Sequence, residues 1–330
     1  MLANKSALLI IVLLVLSILV YNLLIESSNE TKFSIDKILT INEEDTLLYG
    51  VSQICVDDSS YIFVADKFDY RVKKFTKTGS YINSVGQQGG CGECFNKGPA
   101  YISYFKDSSI IAVADYMTNE VKLFSSELEY IKTIIIYAPI NDLIFDENGY
   151  LITARPPIAN LGISIARMNQ KGDIINSFDP VELTGNMILD MFSISYIKAN
   201  RLIVLAYFYR NLIQVYDFNG KLIKEINIPG IREVAEFTEM SKNKSFSEKL
   251  PGKKVIKCFD TNKKDLIYII INKLENKNEQ VLYVIGVNGE IYGVVDINEN
   301  ISEIYVDEMN TLYTIEKKGT RVAKYASKFK

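Results

Sequence analysis

Histidine is absent from the 330 residues, and so is tryptophan. Without an imidazole there is no Ser-His-Asp triad, no Cys-His nucleophile pair and no histidine metal ligand. Excess charge of either sign is missing too: 37 Lys and Arg face 40 Asp and Glu, a formal net charge of -3. No basic stripe marks a nucleic-acid surface, so no nucleic-acid partner is expected. What is present is apolar and aromatic. Hydrophobic residues make up 48% of the chain, with 21 Tyr and 16 Phe, enough for one large all-β core.

The longest apolar run is Ala7 to Ile25, broken only by Ser17 and Asn22. As a helix it would be about 28 Å long, close to the thickness of a bilayer's hydrocarbon. Lys5 precedes it, while Glu26 and Glu30 follow. This bias predicts residues 1–6 in the cytoplasm, an uncleaved membrane anchor over 7–25, and an exported remainder joined by a linker at 26–32. A cleaved signal peptide is the competing reading, but no small-residue cleavage site follows the run.

A phrase repeats next. FVADKFDYRVKKFTKTGSYI (63–82) lies without a gap over AVADYMTNEVKLFSSELEYI (112–131). A β-rich phrase recurring at 49 residues is a propeller period. Continuing the segmentation gives strands at 51–56, 61–65, 71–75 and 81–85 for blade one, and at 100–105, 110–114, 120–124 and 130–136 for blade two. Blades three to five follow over 140–178, 192–228 and 255–297, with Asn219-Gly220 and Asn288-Gly289 as hairpin turns. Blade six offers only 302–306, 311–315 and 321–325 before the chain ends. The strand-like stretch 33–41 is left over. Pairing it with 321–325 would complete blade six and remove the open edge. The expected architecture is therefore an all-β, six-bladed β-propeller over 33–330, closed by its N-terminal strand and preceded by one transmembrane helix.

The stretch 61–102, with Asp66, Arg71, Gly79, Gly86, Gly89, Phe95 and Pro99, resembles NHL-repeat proteins and the related exported six-bladed propellers of bacteria. The specific match covers blade one and much of blade two; the later blades match in strand spacing and turns. Such propellers serve binding and catalysis alike, so the resemblance implies the scaffold more than the activity. Some relatives are calcium-dependent lactonases or gluconolactonases. A relative that is an amidating lyase uses a zinc site with histidines, which this chain lacks.

Loop lengths predict a working face. The loops joining second to third strands, with the links between blades, collect nearly all the length variation, up to the 229–252 insertion. The opposite face carries short hairpins. The linker 26–32 reaches at most about 25 Å, so the short-hairpin face is expected to look toward the membrane. On the long-loop face Asp66, Arg71, Asp115, Arg155, Tyr209 and Arg210 are candidates for a protein, peptide or glycan partner. Asp66 and Asp115 also suit a plain capping role.

Lining up the first strands gives one inward ladder of Gln53, Ile102, Asp142, Ile194, Ile256 and Glu303. The adjacent ladder is Ser52, Tyr101, Asn141, Ser193, Val255 and Ser302. Asn141, Asp142 and Glu303 are the only attractive Ca2+ ligands. Three branched apolars in their ladder argue against a metal centre, so no cofactor is expected and the leading reading is a non-catalytic binding or scaffolding module. A calcium-dependent hydrolase is the alternative. Cys91-Gly-Glu-Cys94 suits a local disulfide outside the cytoplasm, with free thiols, metal binding and redox use as alternatives. The segmentation puts this loop on the long-loop face. Cys55 and Cys258 read as small buried apolar residues.

Overall fold

The computed structural model describes residues 33–42, 46–155, 164–231, 254–262, 264–273 and 279–329. The expected anchor over 7–25 and its linker lie outside them, as do most of the 229–252 insertion and the tips of two loops. Among the described residues no helix is long and apolar enough to cross a membrane.

The chain forms six four-stranded antiparallel sheets. Strand β1 (Phe33–Ile41) precedes blade one, which holds β2 (Val51–Val56), β3 (Ile62–Asp66), β4 (Arg71–Phe75) and β5 (Tyr81–Val85). Blade two holds β6 (Pro99–Phe105), β7 (Ile110–Asp115), β8 (Glu120–Ser125) and β9 (Tyr130–Ile135). Blade three holds β10 (Asp142–Phe145), β11 (Leu151–Ala154), β12 (Ile165–Met168) and β13 (Ile174–Phe178). Blade four holds β14 (Phe192–Ile197), β15 (Leu202–Tyr207), β16 (Ile213–Tyr216) and β17 (Leu222–Ile226). Blade five holds β18 (Ile256–Thr261), β19 (Leu266–Asn272), β20 (Gln280–Gly286) and β21 (Ile291–Ile297). Blade six holds β22 (Glu303–Val306), β23 (Leu312–Glu316) and β24 (Arg321–Phe329). Its fourth strand is β1, which pairs with β24 from Phe33 opposite Phe329 to Ile41 opposite Val322, over a bulge at Lys37/Leu39. The pairing is the expected one and runs to Phe329, beyond the expected 325.

Burial follows position in the blade. The second strands lie between neighbouring sheets and read as continuous apolar runs; every residue of β3 is buried. The outer β5 is exposed or half-buried throughout. A separate apolar cluster fills each of the six junctions between blades. The junction of blades five and six takes in Phe33, which is 1% exposed, so β1 closes the ring by packing as well as by hydrogen bonds.

The short hairpins are held by Asx turns. Asp57 Oδ1 accepts from the Ser59 and Tyr61 N–H groups, and Asp146, Asp217 and Asp307 do the same two and four residues ahead.

Candidate functional site

The six first strands, β2, β6, β10, β14, β18 and β22, surround the axis and enclose a cavity of about 340 Å³. Its upper wall is built by hairpins joining first to second strands, including Asp57, Asp58, Glu147, Lys198, Asp307 and Glu308. Gln53, Asp142, Ser193 and Glu303 lie deeper. The cavity therefore opens among the short hairpins, although loop length pointed to the opposite face. Phe33 enters on this same face, because it pairs with Phe329 at the far end of β24.

The register of the first strands differs from the expected ladder. Gln53, Tyr101, Asp142, Ser193, Ile256 and Glu303 pair with Ala65, Ala114, Ala154, Ala206, Ile271 and Ile315. These partners occupy one position in all six second strands. The residues at that level are thus polar in five blades of six. Ile102 and Ile194 are one step further on and buried in clusters between blades, so they do not share the level of the acids. Bulges at Val51/Gln53, Pro99/Tyr101 and Ile256/Cys258 displace the register in blades one, two and five. An alignment of the first strands alone cannot see them.

Asp142 is a clamp. It is 2% exposed, and both its oxygens are bonded. Oδ1 accepts from Gln53 Nε2 at 3.2 Å and from the Leu143 N–H at 2.9 Å. Oδ2 accepts from the Ser193 hydroxyl and from the Ile194 N–H at 3.0 Å. First strands face the axis with one edge unpaired, so their N–H groups need side-chain acceptors. Gln53 Oε1 serves Ile102 N–H at 2.6 Å, and Asp260 Oδ2 serves Val306 N–H at 2.8 Å. Side chains of one blade thereby cap the inner edge of another. Asp260 lies further along β18 than the two ladders reach, four residues past Ile256.

Glu303 is different. Its one hydrogen bond comes from its neighbour's N–H, Ile304, at 3.2 Å. It is enclosed by protein yet keeps a residual exposure, which is to the cavity. Burial, reinforced by Asp142, pushes its carboxyl up to about 8. Burial also pushes Asp142 up to about 6, against its four hydrogen bonds. Lys254, on the long-loop side, has its ammonium 3.5 Å from the centre of the Phe208 ring, and burial lowers its pKa. Tyr101 completes the level, its hydroxyl held neutral by burial and by the charges of Asp142 and Glu303. Asn141, the remaining expected ligand, turns toward blade four and donates to the Phe192 carbonyl at 2.9 Å. Among the described residues no group of three or more Cys, Asp or Glu side chains is placed to hold a metal ion.

The long-loop candidates do not form one surface. Asp66 is fully buried and accepts from the Tyr49 and Gly50 N–H groups and from Lys73 Nζ. Asp115 caps the Asn96 and Lys97 N–H groups. Both tie the end of a second strand to the link entering the same blade. Arg155 is buried with its guanidinium 5.4 Å from the Tyr137 ring centre. Tyr209 packs with Ile188 in a small apolar cluster. Arg210 lies over the Tyr207 ring and 3.8 Å from Asp190. Arg71 alone is openly exposed.

Cys91 and Cys94 are joined by a disulfide, and Cys55 and Cys258 are buried free thiols. The disulfide loop reaches further round the molecule than its place in the link suggested. A Cβ on Gly92 would stand 2.9 Å from the Tyr130 ring, and Tyr130 pairs with Phe124 near the short-hairpin end of blade two. The loop runs down the flank of blade two because Phe95 is drawn into the junction of blades one and two, against Phe124.

No protein-family model matches this chain, and no curated protein matches it by sequence. Solved structures do. A Bacteroides fragilis protein provisionally described as exported is 11% identical with a TM-score of 0.64, over 92% of this chain and 96% of that one. A streptogramin B lyase is 12% identical with a TM-score of 0.54, over 84% and 79%. Hydrazine synthase of Kuenenia stuttgartiensis is 11% identical with a TM-score of 0.52, over 82% and 74%. At these identities the likeness concerns the fold. The chain is a six-bladed β-propeller.

Proposed function

We propose that this propeller, of the NHL-repeat type, is exported, tethered through residues 7–25, and binds a protein, peptide or glycan without transforming it. The observation that carries this reading is the division of labour at the axis. Asp142, the central acid of the alternative calcium site, already accepts four hydrogen bonds. Ca2+ wants six to eight oxygens, and Asn141 is held to blade four through its amide nitrogen on the Phe192 carbonyl. A lone carboxyl and an enclosed cavity suit the capture of a protruding group better than metal-assisted hydrolysis. The raised Glu303 carboxyl is the one feature favouring the hydrolase, since a carboxyl neutral at pH 7 can act as a general acid.

Two measurements test the proposal on the full chain. Reporter fusions at the C-terminus should be active only when the reporter works outside the cytoplasm. The purified protein with Ca2+ and a panel of lactones should give no turnover above background. Calcium-dependent turnover abolished by Glu303→Gln would establish the hydrolase instead.

A further inference from the structure

We infer that the axial cavity is a receptor for an alkylammonium group, with the Glu303 carboxylate as its counter-ion. The inference deepens the binding function proposed above and rests on it. Nine carboxylates and two lysines line the cavity, a clear excess of negative charge. Several carboxylates are spent on turns or ion pairs: Asp57 caps its hairpin, Asp146 holds Arg167 at 2.7 Å and Asp58 holds Lys106 at 2.9 Å. Glu303 is not spent. Among the described residues it makes no salt bridge, although the Lys254 ammonium acts on it electrostatically; its one described hydrogen bond is local, and it lines the cavity. An enclosed carboxyl at the bottom of a cavity, with lone pairs to spare and a proton it gives up when a cation arrives, is a place for a donor from outside.

The walls select the kind of cation. Tyr104, Tyr196, Phe259 and Tyr305 line the cavity together with the acids. Aromatic rings attract organic cations and pack against alkyl stems, while a metal ion would need oxygens that Asp142 cannot release. The protein's own nearby ammonium, Lys254, acts on Glu303 electrostatically, but it stands over Phe208 on the long-loop side and is not among the residues lining the cavity. The chemistry recognised is thus one ammonium on a short apolar stem. Its source is either a free amine or a lysine side chain of a peptide.

The test is calorimetric titration of the full chain in detergent micelles with four probes: n-butylammonium, a terminally blocked peptide with one Lys, the same peptide with norleucine, and butyrate. The amine and the Lys peptide should bind, and the norleucine peptide and butyrate should not. Glu303→Gln should weaken binding at least about tenfold, as expected for loss of a charged hydrogen bond, with its cooperative melt retained. Should that variant fail to fold, carbodiimide labelling of the unaltered protein decides: n-butylammonium should protect Glu303 and leave the exposed Glu93 reactive. A Lys peptide binding about tenfold tighter than n-butylammonium assigns the source to a polypeptide, and the reverse order assigns it to a free amine. Equal binding by folded Glu303→Gln, no binding by either amine, or absence of protection overturns the inference. Binding of the norleucine peptide or butyrate in their place overturns the cation assignment while leaving a binding module. Displacement of the amine by Ca2+ with lactone turnover overturns both.

Discussion

Asp142→Ala separates a clamp from a catalytic ligand. Truncation leaves the Leu143 and Ile194 N–H groups without acceptors and frees Ser193 and Gln53. At about 2 kcal/mol for each stranded backbone donor the cost is about 4 kcal/mol, with the two side chains adding less because they can turn. A second effect opposes it. Burial raises the Asp142 carboxyl from 3.8 to about 6, so ionising it in the folded protein costs about 3 kcal/mol more than in the unfolded chain. A raised folded pKa contributes stability below the unfolded value, and that contribution is lost as pH rises through the folded one. The wild type therefore weakens between about pH 4 and pH 6 through this group, and the variant does not. Destabilisation by Asp142→Ala should be about 4 kcal/mol near pH 4 and distinctly smaller at pH 7. Asp142→Asn keeps one accepting oxygen and should cost about 2 kcal/mol, with little pH dependence. Urea unfolding followed by tyrosine emission gives both values; the chain has no tryptophan to interfere. An Asp142→Ala protein as stable as wild type near pH 4 would refute the clamp.

The Glu303 carboxyl, raised to about 8 by burial and Asp142, gives a second pH window by the same sign. Stability should fall between about pH 4.5 and pH 8 through this group, and Glu303→Gln should flatten that part of the curve; an unchanged curve would place Glu303 in water. Asp66→Asn disturbs a buried pair with Lys73 at 2.8 Å and should cost about 3 kcal/mol in unfolding while leaving amine titrations unchanged. Gly293→Ala sets a Cβ 2.3 Å from Phe33 Cβ and should loosen ring closure by about 1–3 kcal/mol, read as faster hydrogen exchange in β1 and β24.

The fold was legible in the sequence and the site only half so, for one physical reason. Blade signals are local. Buried second strands such as Ile62–Asp66 must be apolar throughout, and hairpins need Asx or Gly at fixed offsets, so both repeat wherever a blade repeats. Even the spare strand 33–41 announced itself, because a ring one strand short has an open edge. The level of the axial side chains is not local. It is fixed by pairing with the second strand, and one inserted residue per bulge moves it. Aligning the first strands on one another, without their partners, put Ile102 and Ile194 beside Asp142 and Glu303, and the axis then looked too apolar for a site. Counting backward from the second strand, from the residue before Asp66, Asp115, Arg155, Tyr207, Asn272 and Glu316, places Tyr101 and Ser193 there instead. In this chain the landmark that aligns the inner strands is thus the end of the second strand. In blades one and two its carboxylate is consumed by the entering link. The same Asp that marks the repeat is for that reason unable to be its ligand, and the polar level one pairing step away, with Glu303 open to the cavity, is where binding chemistry has room to differ from blade to blade.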